Sequence, residues 1–547
     1  MPRLPLAPLA VLIVGLWALG PALDGGFVYD DHHYISGNPA VVGAELDLTA
    51  PLGESIQGLW RPLSVLSWRW QWEGPQTSAW RYHLVDLLLH LGIALAVLGL
   101  GRALGLSKLA ALIGVLFFAA HPAHVEAVAW VSQRSELLAT LFVLLAWRAH
   151  LSERRVAPWL LALALTAAAL SKENALAAPA LFVVGDLALR RRPLPWGRWA
   201  VAALVVAGML TLRWQLLDEP FPAHGPFRDM SLGERLPVAL QVFGRALSTL
   251  VWPSSLRVEY DRDEFLGSSA DALLVVGLFS IALLVAAWRR RQHVATLLAL
   301  VPVALFPVLQ LVPIGEPFAE RFLYLPSIPL CLAAGALFAL LIRREQASPR
   351  GVGLSLLGVV LILALMIPAS RHATRAFRSD LALWAVAAAE APHVPLARYH
   401  HGQFLHEARL FAARDTDLPG SQSELRASLE LDPDHAYAAF AHQFLARNAL
   451  GLEGFDLPDL EIAARHARSA HELAPELVEP RLHLADIALR APSIVARAEA
   501  TSVLLPLLSG DGLSEEQAQA AGELFLQLSS SAERDEVSTG TSSDEGS

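Results

Sequence analysis

Asp30 and Asp31 stand side by side in the run Gly25-Gly26-Phe27-Val28-Tyr29-Asp30-Asp31-His32-His33-Tyr34-Ile35. Adjacent carboxylates just beyond an apolar segment suit two kinds of chemistry, deprotonation of an incoming hydroxyl or coordination of a divalent ion. A solvated pair capping the next turn would have the same sequence; the flanking Phe27, Tyr29 and Tyr34 favour a partly enclosed site. A second polar segment reads His121-Pro122-Ala123-His124-Val125-Glu126 and runs on to Arg134-Ser135-Glu136. Two histidines three apart with one acid nearby make a loose metal pattern. The preferred reading is a turn in which His121, His124 and Arg134 meet a phosphate or a sugar, with plain pairing of Arg134 and Glu136 left open. Two further tips carry charge: Ser171-Lys172-Glu173, and Glu316 to Arg321, which runs through Glu320 and Arg321 into Phe322-Leu323-Tyr324. Lys172 is one of two lysines in a chain that otherwise uses arginine. Arg61, Lys172 and Arg321 suit a lipid phosphate, arginine as a bidentate fork and lysine as a point charge. Anchoring by snorkelling accounts for each of them equally well.

The elements that must position these residues are membrane helices. Of the 547 residues, 54% are hydrophobic and only 17% charged, against about 25% charged in an average soluble chain. Apolar runs near the roughly 20 residues a span requires recur from Leu4 to Pro368. Short basic loops mark the cytoplasmic side, and five of them, Arg102–Lys108, Arg148–Arg155, Arg190–Arg198, Arg289–Arg291 and Arg343–Arg350, fall on one face if the chain crosses eleven times. The expected spans are 5–22, 84–104, 109–122, 135–150, 156–171, 174–189, 198–217, 270–288, 294–312, 322–342 and 352–369. The amphipathic stretch 235–252 is then interfacial or re-entrant. Every segment singled out above falls on the opposite, non-cytoplasmic face. Trp60-Arg61-Pro62-Leu63 with Trp68, Trp70 and Trp72 reads as an interfacial helix, tryptophan concentrating at the headgroup level.

Beyond residue 370 the character changes. Residues 371–547 hold 27 acids against 14 arginines, a balance of −13 that leaves +3 for the first 370. This argues for two domains and against nucleic-acid binding through a basic patch. The single Cys331 excludes an intramolecular disulfide framework. Amphipathic helix pairs follow, with a shared phrase ending at Pro392, Pro433 and Pro475. That is the tetratricopeptide-repeat cadence, lengthened from 34 residues by insertions expected near Thr416–Ser421 and Gly451–Pro458. From Ser529 the composition is too polar to fold, and residues 529–547 are expected to be a disordered tail. The expected division is a membrane domain over 1–370, a repeat domain over 371–528, and the tail.

Taken in order, Asp30-Asp31 with Asn38-Pro39, Arg61-Pro62-Leu63 with His83-Leu84-Val85, His121 to Glu126 with Arg134 and Glu136, Ser171-Lys172-Glu173, and Ala319-Glu320-Arg321-Phe322-Leu323-Tyr324-Leu325-Pro326-Ser327 resemble the transmembrane-and-tetratricopeptide-repeat O-mannosyltransferase family and its bacterial relatives. The resemblance covers residues 24 to roughly 490. It implies an all-α multispan bundle of the GT-C type followed by a helical-repeat solenoid. It also implies an inverting transfer of mannose or another hexose from a polyprenyl-phosphate donor to a protein or glycan hydroxyl on the non-cytoplasmic side. Asp30 or Asp31 would be the base. Arg61, His121, His124, Glu126, Arg134, Lys172, Glu173, Glu320, Arg321 and Tyr324 would contact donor phosphate or sugar. A divalent metal is compatible with the sequence without being required by it. The repeats would dock the acceptor, though their short, interrupted array leaves its identity open. The arginine- and alanine-rich composition reads as bacterial, which points to an inner membrane with a periplasmic repeat domain. A transporter of lipid-linked sugars and a non-catalytic scaffold stay as alternatives. The first predicts charges near mid-bilayer and inverted repeats, the second free replacement of Asp30 and Asp31.

Overall fold

The computed structural model describes all residues except 1–5, 44–58, 190–192, 218–224, 255, 268–269, 290–291, 345–348, 412–419, 436, 451–458, 509–512 and 541–547. Every regular element among the described residues is helical. The chain divides into two compact units, Met1–Leu383 and Trp384–Ser547.

The first unit contains α1 (Leu6–Leu19), α2 (Pro62–Arg69), α3 (Ala79–Ala103), α4 (Lys108–Ala119), α5 (Val125–Ala129), α6 (Arg134–His150) and α7 (Ala157–Ser171). It continues with α8 (Ala178–Ala188), α9 (Trp196–Leu216), α10 (Leu232–Val251), α11 (Ala270–Trp288), α12 (Gln292–Leu305), α13 (Tyr324–Arg344) and α14 (Pro349–Ala373). Among the described residues, five stretches are long and apolar enough to cross a membrane: Leu6–Asp24, Ala79–Ala103, Trp196–Leu216, Glu320–Arg344 and Gly351–Arg378. A sixth arises if α4 and the helical segment Pro122–Ala129, bent by 58°, are counted as one span. Ala157–Ser171, Asp271–Ala287 and Gln292–Val308 are shorter apolar helices. Leucines and other large apolar residues on α1, α11 and α14 remain exposed, among them Leu16, Leu274, Leu284, Leu361 and Leu365. Water would penalise such faces and hydrocarbon would not, so the first unit is that of a multi-pass membrane protein. The stretch expected to be interfacial is α10, opened by a capping box between Ser231 and Glu234.

The bundle packs through small residues. α13 lies against α4 where Gly335 meets Gly114: a Cβ on Gly335 would fall 2.3 Å from the Ala110 carbonyl oxygen and from the Gly114 nitrogen. Such small-residue seams let helix backbones approach in an environment that offers no hydrophobic drive between helices. In the polar first loop, a Cβ on Gly25 would strike the His83 ring at 2.6 Å and one on Gly26 the Arg378 carbonyl oxygen at 2.9 Å. These two glycines let the chain leave α1 close against α3.

In the second unit α15 (Pro395–Phe411), α16 (Ser421–Leu431), α17 (Ala438–Ala449), α18 (Leu460–Leu473), α19 (Val478–Arg490), α20 (Arg497–Leu508) and α21 (Glu515–Gly540) pack mainly on their chain neighbours. α16 and α18 stop just before Pro433 and Pro475, as the restriction on residues preceding proline requires. Alanines at the crossings, Ala446, Ala463, Ala467, Ala485 and Ala488, are buried. The insertions expected near 416–421 and 451–458 lie largely outside the described residues. α21 departs from expectation: its helix runs past Ser529 to Gly540, because Leu524, Phe525 and Leu528 seat its earlier turns on the core and the helix continues from them. Residues 541–547 lie outside the described residues.

Gly335→Val should push α13 off α4 and lower stability by about 1–3 kcal/mol, whereas Gly277→Ala, with open space around it, should be neutral. Thermal unfolding of the two variants in detergent checks this.

Candidate functional site

The loop after α1 turns sharply at Tyr29, whose φ of 46° is left-handed although the residue is not glycine. Strain of this kind costs on the order of 1–3 kcal/mol and persists only where the surroundings impose it. Here the Tyr29 backbone N–H donates to Asp380 at 2.6 Å, and the same carboxylate pairs with His32 at 2.8 Å. The turn separates the fates of the two neighbouring aspartates. Asp31 is fully buried, its carboxylate accepting from the Val28 N–H at 3.1 Å and the Ser132 N–H at 2.6 Å. It ties the first loop to the one before α6, and burial pushes its pKa up to about 8 against those two donors.

Asp30 is only partly buried and has no hydrogen-bond partner among the described residues. Burial raises its carboxyl to about 7; Arg321 and Arg61 pull it down while Glu316 and Glu126 push it up. Charged groups from loops far apart in sequence thus converge on Asp30.

Arg321 is fixed from several directions. Its backbone N–H donates to Glu126 at 2.8 Å, and its guanidinium also bonds the Glu126 carboxylate. The guanidinium lies 5.4 Å from the centre of the Trp130 ring and 5.2 Å from that of Phe322, with Glu316 at 3.9 Å. Arg61 binds both oxygens of Glu173, at 3.0 and 2.5 Å. Burial alone would raise Glu173, but the Arg61 guanidinium outweighs it and holds the carboxyl down at about 2. Lys172 pairs with Glu136 at 2.6 Å; burial lowers its pKa, and Glu136 opposes the shift.

Several expectations are corrected by this geometry. Arg134, expected to meet a ligand or pair with Glu136, is completely buried on Asp86 at 2.5 Å, Gln71 at 2.5 Å and the Tyr82 carbonyl at 3.0 Å. A buried guanidinium needs a carboxylate and further acceptors around it; α3 supplies Asp86 and the Tyr82 carbonyl, and the segment after α2 supplies Gln71. His121 and His124 point into the bundle, bonded to the Leu250 carbonyl at 3.0 Å and the Ser327 hydroxyl at 2.8 Å. At 1% and 0% exposure they shape the turn. Tyr324 likewise bonds His90 at 2.7 Å in the interior. Glu320 turns away from its neighbour Arg321, accepting from the Arg257 N–H at 2.9 Å and from the Tyr260 hydroxyl. It anchors the loop after α10.

Glu259 on that loop escaped sequence reasoning. It is 8% exposed, and burial and Glu316 push its carboxyl well above the usual range. Nothing in Arg257-Val258-Glu259-Tyr260 marks it, because its neighbourhood is made by residues more than fifty positions away. Among the described residues no group of three or more His, Cys, Asp or Glu is arranged to hold a metal ion.

Chemically, the site offers at Asp30 a carboxylate with no hydrogen-bond partner among the described residues, its carboxyl raised to about 7 by burial, with Arg321 and Arg61 in its field.

No family profile matches the chain. It is 37% identical over 169 residues to the protein O-mannosyl-transferase Tmtc1 of Drosophila melanogaster, covering 28% of this chain and 20% of that one. Its curated relatives are protein O-mannosyl-transferases. A longer match, 25% identical over 415 residues, is to the protein O-mannosyl-transferase F38B6.6 of Caenorhabditis elegans, covering 70% of this chain and 57% of that one. The mouse protein O-mannosyl-transferase TMTC3 is 26% identical over 367 residues, 56% of this chain and 39% of that one. The chain therefore spans between 20% and 57% of the length of these O-mannosyl-transferases.

Asp31→Asn would set an amide NH2 against one of two backbone donors, and should destabilise the protein by about 1–3 kcal/mol. Asp30→Asn should leave the unfolding temperature unchanged or raise it. Thermal unfolding of the two variants side by side reads the difference.

Proposed function

We propose that this chain is a membrane glycosyltransferase of the transmembrane-and-tetratricopeptide-repeat O-mannosyltransferase family. It transfers a hexose from a polyprenyl-phosphate donor to a protein or glycan hydroxyl on the non-cytoplasmic side. The observation that carries the reading is Asp30: a carboxylate without a hydrogen-bond partner, raised to about 7 by burial, in the field of Arg321 and Arg61. A base with a pKa near the working pH combines a useful ionised fraction with real proton affinity.

In the proposed step the acceptor oxygen attacks the anomeric carbon as its proton passes to an Asp30 carboxylate oxygen. The bond from that carbon to the phosphate oxygen breaks, and its electron pair leaves with the lipid phosphate. The configuration inverts. Arg321, held by Glu126 and stacked on Trp130, and Arg61, held by Glu173, are fixed before the reaction and stabilise the departing phosphate without reorganising. Lys172, paired with Glu136, adds positive charge in the field of Arg61 and Glu173. Asp31 keeps the loop in place and does not act as base. Residues 1–370 form the transferase domain and 371–528 a tetratricopeptide-repeat domain that docks the acceptor. The membrane is a bacterial inner membrane with the repeats in the periplasm.

Transfer of label from a polyprenyl-phosphate sugar pool into protein or glycan, in membranes matched for protein abundance, tests this. Asp30→Asn should lower transfer by about 10²–10⁴-fold; equal transfer by variant and wild type would remove Asp30 from the chemistry. Because the base acts ionised, wild-type transfer should rise with pH through about 7 and then level off. A rate independent of pH between 5.5 and 8 would oppose the assignment.

A further inference from the structure

A second polar cavity lies at the other end of the bundle. Its volume is about 630 Å³, and Arg102, Ser107, Gln292, His293, Arg343 and Leu340 are among its walls. Arg102 is in the last turn of α3, a 25-residue helix whose first turns pack on the Asp30 loop. At 1.5 Å per residue the two ends of α3 are roughly 37 Å apart. Arg343 closes α13 at the end away from Arg321. This cavity is therefore separate from the transfer site.

Its chemistry is that of an anion receptor with an apolar floor. Two guanidinium groups and an imidazole come from three helices, and no acidic side chain lines the cavity among the described residues. Two helices begin on it. Ser107 caps α4 by accepting from the Ala110 N–H at 3.1 Å, and α12 starts at Gln292, so both present the positive ends of their dipoles. The exposed His293 ring lies against the turn that precedes α4. Gly105 sits at φ 92°, and a Cβ there would lie 2.9 Å from the His293 ring. One guanidinium nitrogen of Arg102 donates to the Leu106 carbonyl, which holds the side chain over the same turn. Below this rim Leu106, Ala336, Ala339 and Leu340 supply an apolar wall. A cation-rich rim above an apolar wall between membrane helices fits a ligand with a phosphate at one end and acyl chains at the other.

We propose that this cavity binds the phosphodiester headgroup of an anionic membrane lipid, with Arg102, His293 and Arg343 around the phosphate and an acyl chain along Leu340.

The test uses the purified full chain in phosphatidylcholine nanodiscs, with native mass spectrometry counting retained phosphatidylglycerol and thermal unfolding as a second readout. Wild type should retain phosphatidylglycerol and unfold at higher temperature when it is present. The pair Arg102→Gln/Arg343→Gln should weaken retention by about ten-fold or more, the scale of one or two charge-assisted hydrogen bonds. Arg148→Gln/Arg344→Gln, which removes the same charge from arginines that are exposed like Arg102 and Arg343 but do not line the cavity, should retain it like wild type. His293→Glu keeps both arginines and should lose the lipid as well, so the outcome does not depend on one variant folding. Equal retention by the cavity variants and the control pair overturns the proposal. Equal protection of wild type by inorganic phosphate alone overturns the lipid assignment in favour of a free phosphate.

Discussion

Arg321 and Glu126 join segments 195 residues apart, and the organisation of the site follows from that pair. A guanidinium at the edge of a membrane bundle is costly unless a carboxylate and further acceptors meet it. Glu126 supplies both the counter-charge and an acceptor for the backbone N–H of Arg321. This fixes the entry to α13 against the bent turn between α4 and α6. Trp130 comes to lie under the guanidinium, and the adjoining Ser132 N–H becomes available to Asp31. The loop that carries Asp30 is thereby set by the same contact that sets the cation beside it.

The neighbouring ion pairs follow one logic with different consequences. Arg134 on Asp86 and Arg61 on Glu173 both satisfy a buried cation, yet they differ in what surrounds them. Arg134 has a carboxylate, an amide oxygen and backbone carbonyls around it and is sealed within the bundle. Arg61, side chain 11% exposed, keeps electrostatic contact with Asp30. The histidines belong with the sealed group. The His124 ring lies 5.7 Å from that of His90 and 5.3 Å from that of His121 by ring centre, and each of the three has a backbone or hydroxyl partner. They act as spacers that shape the bend following α4.

Glu259 and Glu316 bring negative charge toward the same arginine from two further loops. Burial chiefly holds Asp30 at about 7, and Glu316 and Glu126 add to it against the pull of Arg321 and Arg61. A lone aspartate beside an arginine would be strongly acidic and a poor base. The surplus of acids therefore has a chemical consequence at Asp30.

The sequence by itself determined the membrane character, the helical class, the change of composition after residue 370, and the stretches in which charge would gather. These are properties of local composition and period, which a linear string records. It also marked Asp30, Asp31, Arg61, Lys172 and Arg321, because charges flanked by apolar runs stand out. What only the tertiary structure decided was which charge faces which. Asp31 and Asp30 are adjacent and indistinguishable in the string, and a strained turn at Tyr29 sends one into backbone donors and leaves the other open. Arg134 looked like a partner for Glu136 two residues away, but a helix places residues that close in sequence on different faces, and Asp86 on α3 was its partner. Glu259 carried no signal, since a residue's burial and electrostatic neighbours are set by segments that reach it from elsewhere in the chain.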